Sequence, residues 1–204
     1  MDDPISLKHF AWKGLLWLPT MFFLWFWFAE PLAWPVIRLS GWILVHSWPS
    51  LFDTVEQHGF MADIVTRVLV NQPDAQGQLR LGALTLSVNS LVYGYPLPLF
   101  YGLVLAIPLT VRKRALQITI GMISIWLVQS FGVVTEALKL VAFDSGQQGM
   151  TAIQLLGISN TVIALAYQAG YLLFPAIVPI MLWTALNQSF VKTLIKTSDG
   201  TSKA

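Results

Sequence analysis

The sequence predicts a membrane α-helical protein with four transmembrane helices and a small antiparallel β-meander inserted on the extracytoplasmic side between helices 1 and 2. Three observations carry that expectation. Hydrophobic residues make up 55% of the 204 residues and charged ones only 11%, with a mean hydropathy of +0.65, far from the balance of an ordinary globular domain. The apolar residues gather into long runs bounded by charges, prolines or polar turns. Between the first two runs lies a segment, residues 48–89, that holds Asp53, Glu56, Asp63, Arg67, Asp74 and Arg80 and alternates apolar with polar residues.

The first span, about residues 8–29, follows Lys8 and Lys13 and ends at Glu30 and Pro31. A helix begun near Leu7 reaches about 30 Å, enough to cross. Trp27 and Phe28 lack the small-x-small pattern of a cleavage site, so an uncleaved signal anchor is expected. Pro31 and Pro35 interrupt the helix and suit the first turn of a new one. Leu32, Val36, Leu39 and Ile43 then recur at helical spacing with Arg38 and Ser40 elsewhere, which fits a helix angled along the outer interface.

In the insert, Ile64, Val68 and Val70 fall on one side of a strand with Thr66, and Val65, Arg67 and Leu69 on the other. Leu84, Leu86 and Val88 alternate with Thr85, Ser87 and Asn89, and Asn71 to Gly77 carries the Pro, Asp and Gly of a connecting loop. A shorter strand from Asp53 to His58, ended by Gly59, completes a three-stranded meander.

The second span is expected at 97–111, stopping at Arg112-Lys113-Arg114, and the third at 115–143. Asp144 to Gly149 reads as a turn and Met150 to Ser159 as a short re-entrant or interfacial piece. The fourth span, 160–186, contains Pro175 and Pro179, which a helix tolerates in lipid when neighbours satisfy the released carbonyls. Residues 1–190 thus form one polytopic domain, followed by a polar, disordered tail at 191–204.

Of the twelve Lys and Arg residues, eight fall on one side of a four-span chain and four, Arg38, Arg67, Arg80 and Lys139, on the other. Lys13, Arg112, Lys113, Arg114 and Lys192 are the topology anchors, and both termini are expected in the cytoplasm of a bacterial inner-membrane protein, with the insert outside. The net charge of +2 comes without an extended basic patch, so nucleic acid is not an expected partner. The absence of cysteine excludes disulfides, thiolate metal sites, iron–sulfur clusters and Cys nucleophiles. No metal or cofactor is expected, because His46 and His58 have no further ligands at local spacing. Gly102, Gly121 and Gly132 are expected as close-packing sites between helices.

Counted from Arg114, Glu136 and Lys139 lie about 33 to 38 Å along the third helix, close to the outer interface. Glu30 lies at the outer end of the first span by the same reckoning, Arg38 follows two turns later, Gln168 is about two turns inside the fourth span, and Tyr93 and Tyr95 lie where the last strand enters the second span. These seven residues form the candidate outer-leaflet cluster. One reading is a polar recess that grips a peptide, a lipid headgroup or a partner helix. The other is that Glu136 and Lys139 neutralise one another while the tyrosines form an aromatic belt. No nucleophile elbow, Ser-x-x-Lys, phosphate loop or His-Glu-x-x-His pattern occurs, and no catalytic residue is assigned.

Three stretches, Val88 to Phe100, Gly132 to Lys139 and Ala166 to Pro175, resemble in order and spacing the exosortase H-associated membrane proteins. The resemblance implies a small bacterial inner-membrane protein encoded beside an exosortase, a membrane enzyme that processes C-terminal sorting signals of exported proteins. Exosortases use a Cys, Arg and His set, so this cysteine-free chain is not expected to be that enzyme. The reading that follows is a non-catalytic accessory protein that touches membrane lipids and, through the insert and the cluster, the membrane enzyme or its exported substrate. The alternatives are a membrane-embedded hydrolase or transferase using Glu136, and a small transporter built around the Pro175 and Pro179 pair.

Overall fold

The computed structural model describes residues 7–73 and 79–201. In chain order these form α1 (Leu7–Trp27), α2 (Ala29–Ser47), β1 (Phe52–His58), β2 (Met61–Pro73), β3 (Leu79–Asn89), a 3-10 turn (Ser90–Tyr93), α3 (Pro96–Ala106) and α4 (Val111–Lys139). A π-helical turn (Leu140–Asp144), α5 (Gly146–Leu155), α6 (Asn160–Gln168), a second π-helical turn (Ala169–Leu173), α7 (Phe174–Leu186) and α8 (Gln188–Thr201) complete the chain. Asp74, the rest of the expected loop through Gly77, and Lys203 lie outside the described residues.

Two stretches are long and apolar enough to cross a membrane: Val111–Asp144, with 34 residues, and Asn160–Leu186, with 27. They coincide with the third and fourth expected spans. His9–Trp27 and Ala29–Ser47 supply a third crossing if the pair is one broken span. The expected span at 97–111 contains only an 11-residue helix, α3, which covers about 16 Å. It ends at Ala106 because Pro108 drives the residue before it out of the helical region, and Ile107 is extended at φ −101°, ψ 151°.

The chain divides into two compact units. The first comprises Met1–Phe28, Tyr95–Ile125 and Pro175–Ala204. Here α1 runs beside α3, and Gly102 makes the approach possible, since a Cβ there would lie 2.6 Å from Leu18 Cδ2. At Gly121 a Cβ would overlap the Phe100 ring, so both glycines are close-packing sites as expected. Gln117 and Asn187, both buried, exchange amide hydrogen bonds of 2.8 and 3.1 Å and tie the start of α4 to the end of α7. The expected disordered tail is instead helical through Thr201. Phe190, Val191, Leu194 and Ile195 recur at helical spacing, and the Phe190 ring packs on Phe10 and Trp183, which anchors α8 despite its polar composition.

The second unit comprises Ala29–Gly94 and Trp126–Phe174. Its sheet is the expected antiparallel meander in the order β1-β2-β3. His58 pairs with Met61 across a two-residue turn in which Gly59 takes φ 61°, a backbone open to glycine but strained for other residues, as in a type II′ hairpin. Ala62, Ile64, Thr66, Val68, Leu86 and Val88 are buried, whereas Arg67 and Leu69 are exposed, as the alternation requires. The register shifts between Val65 and Leu69, where the Thr66 hydroxyl donates to the Leu84 carbonyl at 2.9 Å and accepts from the Val68 amide. One core joins this face to Val36, Ile37 and Leu44 of α2, to Val133 and Ala137 at the far end of α4, to Val141 of the first π-helical turn, and to Ile153 of α5. Within the stretch read as a turn and a short re-entrant or interfacial piece, Gly146–Leu155 form α5, whose Ile153 belongs to that core.

Candidate functional site

Within the second unit, one stripe of α4 grips the 3-10 turn that follows the sheet. Asn89 caps that turn by accepting from the Leu91 amide at 3.0 Å, and the turn carries Tyr93 into the interior, where it is 0% exposed. Gln129 donates to the Ser90 carbonyl at 3.0 Å. One turn on, Gly132 leaves the space that the Tyr93 ring fills, for a Cβ at that position would fall inside the ring. One turn further, Glu136 Oε2 accepts from the Tyr93 hydroxyl at 2.8 Å. Positions 129, 132 and 136 follow the three- and four-residue spacing of one helix face, so clasp, gap and acceptor are set by a single helix. A buried phenol without that acceptor would lose about 1–3 kcal/mol.

Lys139 takes Asp144 as its ion-pair partner, Nζ to Oδ2 at 2.5 Å, rather than turning onto Glu136. In an α-helix a residue five positions on lies about 140° around the axis, out of reach. The π-helical turn at Leu140–Asp144 widens the coil so that residue 144 comes over residue 139. The Ser145 hydroxyl closes this end of the helix by donating to the Leu140 carbonyl at 2.8 Å.

Lys139 Nζ also stands 5.8 Å from the centroid of the Tyr167 ring. Tyr167 stacks on Tyr171 with centroids 5.6 Å apart, and Tyr171 meets Tyr93 edge-on at 6.2 Å. The second π-helical turn, Ala169–Leu173, lies where Pro175 would crowd the Tyr171 carbonyl and cannot donate to it. Glu136, Tyr93, Tyr171, Tyr167, Lys139 and Asp144 thereby form one continuous cluster, bordered by both π-helical turns.

Tyr93, Glu136 and Lys139 of the expected cluster are thus brought together, and Tyr167, Tyr171 and Asp144 join them. Glu30 and Arg38 make other contacts. The Glu30 carbonyl accepts from Gln57 Nε2 at 3.1 Å, which ties the start of α2 to β1, and the exposed Arg38 guanidinium lies 5.7 Å over Trp34. Glu30, Pro31, Trp34 and Gln57 line a shallow open recess of their own. Gln168 is exposed, and Tyr95, at the N-terminus of α3, belongs to the first unit. Among the anchors, Arg114 donates to the Ile107 carbonyl at 3.3 Å, while Arg112, Lys113 and Lys192 are exposed and Lys13 is half-buried.

A polar group that the sequence does not suggest lies on the outward face of the sheet. Ser87 donates to Asp63 Oδ1 at 2.5 Å, and Asp63 Oδ2 lies 2.6 Å from His58 Nδ1. The Ser87 bond, opposed by partial desolvation and helped by His58, holds the Asp63 carboxyl below its ordinary range. The carboxylate stands between Ser and His, so the imidazole does not reach the hydroxyl and cannot activate it. Among the described residues, no three His, Cys, Asp or Glu side chains come together.

Chemically, the cluster offers an edge made of the exposed Tyr171 and the part-buried Lys139 beside a fixed carboxyl group. Among the described residues, none donates to Glu136 Oε1, so that oxygen can accept from an incoming donor. A family model described as exosortase H-associated membrane protein matches residues 4–190. No curated protein and no solved structure gives a significant match.

Proposed function

The chain belongs to the exosortase H-associated membrane protein family, and from that premise we propose that it is a non-catalytic accessory protein of an exosortase-type protein-sorting system in a bacterial inner membrane. Its outer insert and the Glu136 cluster contact the membrane enzyme or its exported substrate. The observation that carries this reading is the prebuilt Tyr93–Glu136 pair, held by three positions of one helix with a carboxylate oxygen left for a partner. The second unit is a preorganised recognition surface, with its polar groups fixed by packing before anything binds.

The topology belongs to the same proposal. Four crossings, the second made by Ser90–Ala106, put both termini in the cytoplasm and the sheet outside, and the distribution of Lys and Arg supports that orientation. The chain has no native cysteine, so single substitutions report accessibility without background. Glu56→Cys in intact cells is expected to react with a membrane-impermeant maleimide, and Lys113→Cys only after lysis. The reverse pattern would overturn the orientation.

Co-purification in mild detergent with the exosortase encoded beside it tests the partnership, and a chain that elutes alone while the enzyme's other complexes survive would defeat it. Glu136→Gln separates binding from chemistry. Retained processing of sorting signals in cells with weakened co-purification is expected, whereas abolished processing with intact co-purification would favour a catalytic carboxylate.

A further inference from the structure

We propose that the junction of α7 and α8, in the first unit, is a binding site for an anionic phospholipid. The helix is interrupted at Asn187, whose amide bonds to the Thr184 carbonyl, and a groove runs past this junction. Ile180, Met181 and Ala185 form its apolar wall, and Thr184, Gln188 and Lys192 its polar end. Ile180 and Met181 are 52% and 65% exposed, inside the candidate span Asn160–Leu186, whereas Gln188 and Lys192 lie beyond its last residue. The groove therefore changes from hydrocarbon-like to cationic along its length, as an amphiphile does. An acyl chain fits against Ile180 and Met181, and a phosphate at Lys192 falls within reach of the Gln188 amide.

Charge selects the headgroup. The Gln117–Asn187 amide pair brings the start of α4, with Arg112, Lys113 and Arg114, to the same end of the unit as Asn187, and Phe10, which packs on Trp183 and Phe190, brings Lys13 there. Against the unit's eight Lys and Arg residues stand three acids, Asp2, Asp3 and Asp199, so the unit keeps a net positive charge. A zwitterionic headgroup would bring its own cation into that field, whereas a phosphodiester without an amine leaves one net negative charge for it. Within this groove Lys192 is the cation beside the apolar wall.

The test uses the full chain in detergent, with native mass spectrometry reading lipid retained from equal additions of phosphatidylglycerol and phosphatidylcholine of identical acyl chains. Preferential retention of phosphatidylglycerol is expected. Lys192→Gln should reduce that preference about fivefold, from the worth of one cation near an anionic headgroup. Lys192→Arg should restore it, and Lys113→Gln, on the rim outside the groove, should reduce it less. Met181→Trp, which fills the wall, should lower retention of both lipids, and glycerol phosphate without acyl chains should not compete. Equal retention of the two lipids, or a preference that survives Lys192→Gln, would overturn the proposal. So would competition by glycerol phosphate, which would mark a free-anion site.

Discussion

The two units of this chain solve the problem of polar groups in a membrane protein in opposite ways. The first unit holds eight of the twelve Lys and Arg residues but only three acids, Asp2, Asp3 and Asp199. The second holds the other four cations and seven of the ten acids. In the first unit the buried polar groups met inside the bundle are neutral amides, Gln117 and Asn187, which satisfy each other directly. The second buries neutral groups as well, Ser40, Thr66, Ser90, Gln129, Ser130 and Thr135, and carries besides them a phenol against a carboxylate and, at its exposed edge, an ammonium against a second carboxylate. An amide pair is neutral in any register and can serve as a plain fastener, whereas a carboxyl group held by a single phenol keeps an oxygen to which no described residue donates. The difference teaches that hydropathy locates the membrane, but only the satisfaction of individual polar atoms separates a fastener from a surface made to bind.

That comparison can be broken from both ends. The largest expected effect is Gly132→Ala, which drives a methyl group into the Tyr93 ring and should cost about 3 kcal/mol. Gly14→Ala in the first unit, with nothing within 4 Å of the added Cβ, should be nearly neutral. Hydrogen exchange read by peptide mass spectrometry should show the Gly132 variant loosening β2 and the far end of α4 while α3 and α7 stay protected. Equal loosening everywhere would abolish the distinction between the units.

Next comes Tyr93→Phe, which removes the hydroxyl that satisfies Glu136 and should cost about 2 kcal/mol in thermal unfolding. Combining it with Glu136→Gln should recover part of the loss, because the neutral amide is cheaper to leave half-satisfied. Gln117→Leu, the matching change in the first unit, should cost about 1 kcal/mol. A loss larger than that of Tyr93→Phe would reverse the ranking of fastener and site.

The smallest effect is one of pH. The folded Asp63 carboxyl titrates below its ordinary 3.8, so the stability it contributes is present above that value and is lost as the pH falls through the lower folded value. Ser87→Ala removes the largest cause and should flatten the acid limb of the unfolding curve.

The sheet was legible because period-two alternation between Gly59 and the polar loop admits few other readings, and the last two long helices because their apolar runs are unbroken by charge. Glu136 was picked out by depth along a helix of known rise and Tyr93 by its place just after the last strand, but neither reading supplied the hydrogen bond between them. The partner of Lys139 was not legible, because reaching Asp144 depends on a widened turn that leaves no trace in hydropathy. Asp63 and Ser87 are neighbours only through pairing across 24 residues in strands whose register then shifts, which alternation alone does not fix. The end of α3 turned on one proline, and α8 on one aromatic cluster, so composition misjudged both.

The meander joins only strands that are neighbours in sequence, and α2, which shares its core, precedes it in the chain. As the polypeptide is made, residues 29–89 therefore have every strand partner in hand before α4 exists, and such local pairings close quickly. Tyr93 must wait more than forty residues for Glu136. Until then its hydroxyl is unclaimed. The polar cluster consequently cannot close until α4 and the stretch that carries Tyr167 and Tyr171 have been made.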